Sequence, residues 1–239
     1  MENRELIYKE KERIEKLSQI RELVFGAQDG LLVPLGVVST VAGAFSNNHI
    51  VIIAGLSEAL AGAFSMATGA YLASQAERQV HEGEIEKERR AIKDFPDRER
   101  EELSLLFEKE GVSKIDAGKV SEILSKYDDS FTRTHVQKEL GLDTHPAGTP
   151  TRDAYMIGFS YLIAAFVPLA PYFFISGIRA IATSIGLTFL ALFIIGIMKG
   201  RVAKLPYLKS GLQVLIIGAG SGIGGYLLGT LLPHILGIR

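Results

Sequence analysis

Glu58 and Met66 stand eight residues apart in an apolar run, 50–74, that holds no Lys or Arg. At 3.6 residues per turn this spacing puts them within about 80° of each other on one helix face. A hard carboxylate near a softer thioether suits a borderline divalent transition metal better than Mg²⁺ or Ca²⁺. A carboxylate at membrane depth is costly and usually functional. The bland readings are an acid tied to a neighbouring backbone or hydroxyl for packing, and a methionine that merely fills a core. Asp29 sits near the start of an earlier apolar run, 24–45, at the membrane edge. An acid at a helix start is common there.

A second constellation follows the second apolar run. Glu77, Glu82, Glu84, Glu86 and Glu88 crowd the stretch 75–90, and Glu99, Glu101 and Glu102 come shortly after. Glu84/Glu88 are i, i+4 and Glu99/Glu102 are i, i+3, so each pair shares a helix face. His135/Glu139 are i, i+4 on another helix, a common ligand spacing. A charge run is usually a solvated face. Several helices of one small domain, each offering a pair, make Glu84, Glu88, Glu99, Glu102, His135 and Glu139 candidate metal ligands. His135 as a solvent-facing residue is the competing reading. A ferritin-like di-iron oxidase needs Glu-x-x-His pairs. None occurs: Arg78 precedes His81 by three and Thr132 precedes His135 by three. An enzyme is therefore not expected.

The elements that must carry these residues follow from composition. Of 239 residues, 47% are hydrophobic, but they are concentrated in blocks at 24–45, 50–74, 154–175, 178–198 and 211–236. A spanning helix needs about 20 mostly apolar residues. The expected fold is thus an all-α membrane protein with five transmembrane helices and a helical cytoplasmic domain between the second and third spans. Residues 1–23 read as an amphipathic cytoplasmic helix, with Leu6, Ile14, Leu17, Ile20 and Leu23 among Lys, Arg and Glu. They do not resemble an apolar signal peptide. Spans one and two occupy 24–74, the acidic domain 75–145, and spans three to five 146–239.

No proline falls between Ile50 and Lys93, so one helix is expected to run from the second span into the acidic stretch. Phe95-Pro96-Asp97 breaks it, with Asp97 a candidate cap for the next helix. Gly111 and Gly141 close later helices, the segment Asp143 to Thr151 is a linker, and Pro168 and Pro171 are expected to kink span three. Gly220-x-Gly222-x-x-Gly225 matches a dinucleotide fingerprint literally, but it lies in an apolar span with no preceding strand. Gly218/Gly222 and Gly225/Gly229 read instead as small-xxx-small packing faces.

Charge sets the expected orientation. The loop 46–49 has no Lys or Arg and the loop 174–180 has only Arg179, whereas 199–209 carries Lys199, Arg201, Lys204 and Lys209. The Lys/Arg bias puts the amino terminus and the acidic domain inside and the carboxyl terminus outside. Net charge is −1, and no basic patch with interleaved aromatics argues for nucleic acid. Cys is absent, which excludes disulfides, thiolate metal sites and a Cys nucleophile.

With these residues placed, the chain resembles the vacuolar iron transporter family, which includes the yeast calcium-cross-complementer-type transporters. The carriers are Phe25-Gly26-Ala27-Gln28-Asp29-Gly30-Leu31, Ser57-Glu58-Ala59-Leu60-Ala61-Gly62-Ala63-Phe64-Ser65-Met66 and Gly69-Ala70-Tyr71-Leu72-Ala73-Ser74-Gln75. The Pro96…Glu99…Glu102-Leu103 stretch and Glu139-Leu140-Gly141-Leu142 also match. The resemblance implies a homodimer with a pathway at its interface lined by the first two spans. It implies proton-coupled export of Fe²⁺, often also Mn²⁺, from the cytoplasm, with Asp29, Glu58 and Met66 on the path. It implies a cytoplasmic metal-binding domain using Glu88, Glu99, Glu102 and Glu139. The sequence departs from the pattern in having Ala91 three residues after Glu88, and His135-Val136 where the plant members have a methionine pair.

The functional expectation is a divalent metal/proton antiporter in a bilayer, in the plasma membrane of a prokaryote or the vacuolar membrane of a eukaryote. Fe²⁺ is the expected ion; borderline ligands also admit Mn²⁺, Zn²⁺ and Co²⁺. The alternative is a non-transporting, membrane-anchored iron sensor or store.

Overall fold

The computed structural model describes residues 2–45, 47–142 and 149–220, with side chains from Ile20 onward. Its helices are α1 (Glu2–Ala44), α2 (Asn48–Asp94), α3 (Pro96–Lys109), α4 (Lys114–Leu124), α5 (Asp128–Glu139), α6 (Pro150–Leu169) and α7 (Ile178–Val202). A 3-10 turn, Ala170–Phe173, extends α6, and residues 207–220 are helical too. No strand occurs among the described residues. Among the described residues four helices are long and apolar enough to cross a membrane: Ile20–Ala44 within α1, α2, Pro150–Phe173 and α7. The fifth apolar block is described only to residue 220. The rest of it, its Gly222, Gly225 and Gly229, the linker residues 143–148 and the side chains of the amino-terminal arm lie outside the described residues.

The arm and the first apolar run form one unbroken helix, because nothing before Gly26 interrupts it; Pro34 is accommodated inside it and is buried. α2 is 47 residues long, about 70 Å at 1.5 Å per residue and far more than a bilayer needs. Its polar part is supported by Arg78–Glu82, Lys87–Glu84 and Arg90–Glu86 pairs. Such i, i+3 and i, i+4 pairs contribute about 0.2–0.5 kcal/mol each.

Among the described residues the chain forms two compact units, 2–72 with 149–220, and 73–142. In the first, α6 packs against α1 and α7. Gly26 and Gly30, one turn apart, let α6 approach α1 closely. A Cβ at Gly26 would collide with Ser160 and Ile157, and one at Gly30 with the Tyr161 backbone. α2 joins through Ala59 and Ala63, which pack on Tyr161 and Ala165. Val51 meets Val38, Leu169 and Tyr172. Phe64, Phe159, Phe174 and Ile178 point outward, all at least 66% exposed. That pattern would be costly in water and suits hydrocarbon surroundings. Of the two prolines expected to kink span three, Pro168 lies inside α6, and Pro171 lies in the 3-10 turn that follows it.

In the second unit, α3 packs on α4 and α5, and Leu103, Ala117, Phe131 and Val136 are buried. Asp97 does not cap α3. Pro96 occupies the first helical position, Phe95 is the residue before it, and Asp97 pairs with Arg100 inside the first turn. Proline is favoured at that position because it lacks the N–H that a helix start leaves unpaired. The Ser113 hydroxyl accepts from the Asp116 N–H at 3.2 Å and caps α4. Gly111 and Gly141 follow α3 and α5 at φ +97° and +66°, a conformation that glycine adopts without steric cost.

Candidate functional site

The first unit builds a polar centre around Tyr161 of α6. Its hydroxyl donates to Glu58 Oε1 of α2 at 2.5 Å. Glu58 Oε2 is buried and has no hydrogen-bond partner. Gly62 lies one turn after Glu58 and makes room for the phenol; a Cβ there would come within 3 Å of Tyr161 Oη, Cζ and Cε1. Met66 packs, half-buried, on the cluster of Ala59, Ala63, Tyr161 and Ala165. Asp29 of α1 is half-buried and precedes the Gly30 that touches the Tyr161 backbone. The structure bonds Glu58 to Tyr161, packs Met66 on the cluster that holds Tyr161, and puts Asp29 in the helix that α6 approaches at Gly26 and Gly30. A carboxylate with one free oxygen, a second acid and a thioether can together hold a cation or protons.

Tyr161 was not legible in advance. Tyr155, Tyr161 and Tyr172 all lie on span three or its flank, and nothing local distinguishes the one that meets Glu58 from across 103 residues.

The second unit gathers α2, α3 and α5 around His135, which is wholly buried. His135 Nδ1 lies 2.8 Å from Glu88 Oε1 and 3.1 Å from Glu139 Oε2. Ligand atoms of these three residues all fall within 4.8 Å of one another. On the other side of the ring, Nε2 is 3.1 Å from the Glu99 carbonyl oxygen. That acceptor can take only an N–H, so Nε2 carries a proton and Nδ1 is the ring atom turned to the carboxylates. The short Nδ1–Glu88 approach lacks hydrogen-bond geometry, and both atoms are buried without a hydrogen-bond partner. Lone pairs facing one another in a buried site repel unless a proton or a metal cation lies among them, so the three residues can hold either. Burial, first, and then the charges of Glu139 and Glu99 push the Glu88 carboxyl up to about 7, against the opposing pull of His135.

The remaining sequence candidates are placed differently. Glu84 pairs with Lys87 on the helix surface. Glu102 lines a shallow surface hollow with Arg98, Glu101 and Leu105. The Glu99 carboxylate is held by Arg98 at 2.6 Å and lies 3.5 Å from His135 Nε2, away from Nδ1. Arg98, a neighbour of Glu99 in sequence, carried no signal of this role.

Helices long and apolar enough to cross a membrane, with a buried group of acids and a histidine that could hold a metal ion, define the class as a helical, multi-pass membrane protein. The VIT family model matches residues 20–230, and the chain belongs to the VIT family. It is similar to vacuolar iron transporter 1 of Oryza sativa subsp. japonica, 34% identical over 209 residues, 87% of this chain and 82% of the relative. It is also similar to vacuolar iron transporter 1 of Eucalyptus grandis, 34% identical over 201 residues, covering 84% and 81%. Vacuolar iron transporter 1 of Arabidopsis thaliana is 30% identical over 216 residues, covering 90% and 86%.

Proposed function

We propose that this chain moves a divalent transition metal, Fe²⁺ in the first place, across a membrane in exchange for protons. The observation that carries the reading is Glu58, bonded to Tyr161 with Oε2 buried and unpartnered, on helices apolar enough to span a bilayer, with Met66 on the same cluster; Asp29 is taken as the second acid of the path. The family membership and the relatives named as iron transporters support it. The acids alternate between a proton and the metal, since a charge left bare in a low-dielectric site is costly and either partner relieves it. Tyr161 holds one Glu58 oxygen in place, so the free Oε2 is the atom that exchanges partners. Met66 adds a softer donor that favours Fe²⁺ and its neighbours over Ca²⁺ and Mg²⁺.

Metal is gathered by the second unit at Glu88, His135 and Glu139, on the cytoplasmic side by the Lys/Arg bias of the short loops. α2 carries residues of both sites, Glu58 and Met66 toward its start and Glu88 toward its end. Five spans per subunit and a homodimer with the pathway at its interface complete the reading. Mn²⁺, Co²⁺ and Zn²⁺ fit the same donors.

Purified protein in proteoliposomes tests this. Fe²⁺ entry under a pH gradient should fall at least about tenfold in Glu58→Ala, the scale set by losing one directly bound ligand. Full-rate flux in that variant refutes the mechanism. Metal binding by the wild type without any flux would instead favour a sensor or store.

A further inference from the structure

After Asp153 the sequence holds no Asp or Glu, yet Lys199, Arg201, Lys204 and Lys209 crowd into one short stretch. The turn that carries them joins α7 to the helical residues 207–220. The Leu205 N–H donates to the Gly200 carbonyl at 2.9 Å and the Lys204 N–H to the Arg201 carbonyl at 3.3 Å. Such a pair of bonds finishes a helix around one left-handed residue, usually glycine. Here it is Lys204, at φ +54°, the one non-glycine with positive φ among the described residues. A cation thus stands where the backbone would be easier without a side chain. Close packing holds the turn. A Cβ at Gly196 would lie 2.7 Å from Gly211 Cα, and one at Gly200 would lie 2.9 Å from Tyr207 Cα.

The Arg201 guanidinium sits over the Tyr207 ring, 5.6 Å from its centroid. Among the described residues none of the four cations has an acid partner. Arg201, Lys204 and Lys209 are exposed, and so are Leu205, Tyr207 and Leu208. Cations interleaved with aliphatic side chains and a tyrosine, at the end of a helix apolar enough to span a bilayer, match the boundary between headgroups and acyl chains. A Lys/Arg bias that only sets orientation accounts for the charges. It does not account for the left-handed lysine or the arginine stacked on tyrosine.

We infer that this turn binds the phosphate headgroup of an anionic phospholipid through Lys199, Arg201, Lys204 and Lys209. The site is independent of the metal-transport reading. A bilayer supplies such phosphates where a spanning helix ends, and Leu205 and Leu208 suit the acyl chain that comes with them. Each Lys or Arg near an anionic lipid surface contributes about a fivefold factor in affinity.

The full chain in detergent is titrated with phosphatidylglycerol and, separately, with phosphatidylcholine of the same acyl chains, and bound lipid is counted by native mass spectrometry. Phosphatidylglycerol should bind about tenfold tighter or more. Lys204→Gly should cut that preference about fivefold, while the lipid-free variant melts no lower than wild type because glycine suits the turn. Changing all four cations to Gln should bring the two lipids level; Lys204→Gly carries the test if that variant does not fold. Lys114→Gln, Lys119→Gln and Lys126→Gln together remove three exposed cations of the second unit and should leave the preference unchanged. Inorganic phosphate in large excess should displace no lipid.

Equal affinity of the wild type for the two lipids overturns the proposal, as does full preference in Lys204→Gly. An equal loss in the second-unit variant would reduce the effect to overall charge and refute the site. Displacement by inorganic phosphate would refute the lipid as its occupant.

Discussion

Lowering the pH from 8 to 6 should weaken metal binding by the second unit about tenfold through Glu88 alone. The carboxyl is pushed up to about 7 by burial first and by the neighbouring charges of Glu139 and Glu99, partly offset by His135. Arg98 is the other charged group at the cluster, and it is engaged by Glu99. A metal ion must displace any proton on its ligands, so apparent affinity follows the deprotonated fraction. For a group titrating at about 7 that fraction is about 0.9 at pH 8 and about 0.1 at pH 6. An ordinary surface glutamate would remain ionised throughout and contribute nothing over this range. Glu88→Gln removes the titrating group, so its affinity should be weaker overall and its pH profile flatter. Calorimetric titration of the full chain with Co²⁺ at pH 6, 7 and 8 measures this. Equal wild-type affinity at pH 6 and pH 8, or equal slopes in wild type and Glu88→Gln, would refute the reasoning.

The metal-free protein should show the opposite sense. A carboxyl whose folded value lies above its ordinary 4.5 contributes stability below that value and loses it as pH rises through about 7. The apo form should therefore melt lower at pH 8 than at pH 5 as far as Glu88 governs it, and Co²⁺ should restore more stability at pH 8.

Two further outcomes test the packing that positions the sites. Gly62→Ala should destabilise the protein by about 1–3 kcal/mol and push Tyr161 off Glu58, because the added methyl would sit within 3 Å of the phenol. Gly69→Ala, with nothing within 4 Å of the new atom, should be neutral or stabilising by up to about 1 kcal/mol; equal melting losses for the two would contradict the close approach. Ser113→Ala should cost about 1 kcal/mol by uncapping α4, seen as a lower melting temperature, and no loss would mean that the 3.2 Å bond to Asp116 N–H carries nothing.

Much of this architecture was legible from local pattern. The first four apolar blocks are helices long enough to span a bilayer. The proline-free run to Asp94 is one helix, and Gly111 and Gly141 end theirs at positive φ. The helix boundaries slipped where turn chemistry competes, as at Asp97, which yielded the start of α3 to Pro96.

Within a helix, period and spacing determine which residues share a face, so Glu58 with Met66 and His135 with Glu139 could be paired from the sequence alone. Apolar length likewise set which segments suit a bilayer. Contacts between helices depend on crossing points and on where small residues admit a neighbour, and no local period encodes those. Only the fold decided that Tyr161 reaches Glu58 through the space left by Gly62. Only the fold decided that Glu88, from a helix far away in sequence, completes the His135 cluster while Glu84 and Glu102 stay apart. Glu99 makes the difference plain: its residue type marks it as a ligand, while its fold surroundings hold Oε1 against Arg98 and set its carbonyl and Oε2 on the Nε2 side of the His135 ring.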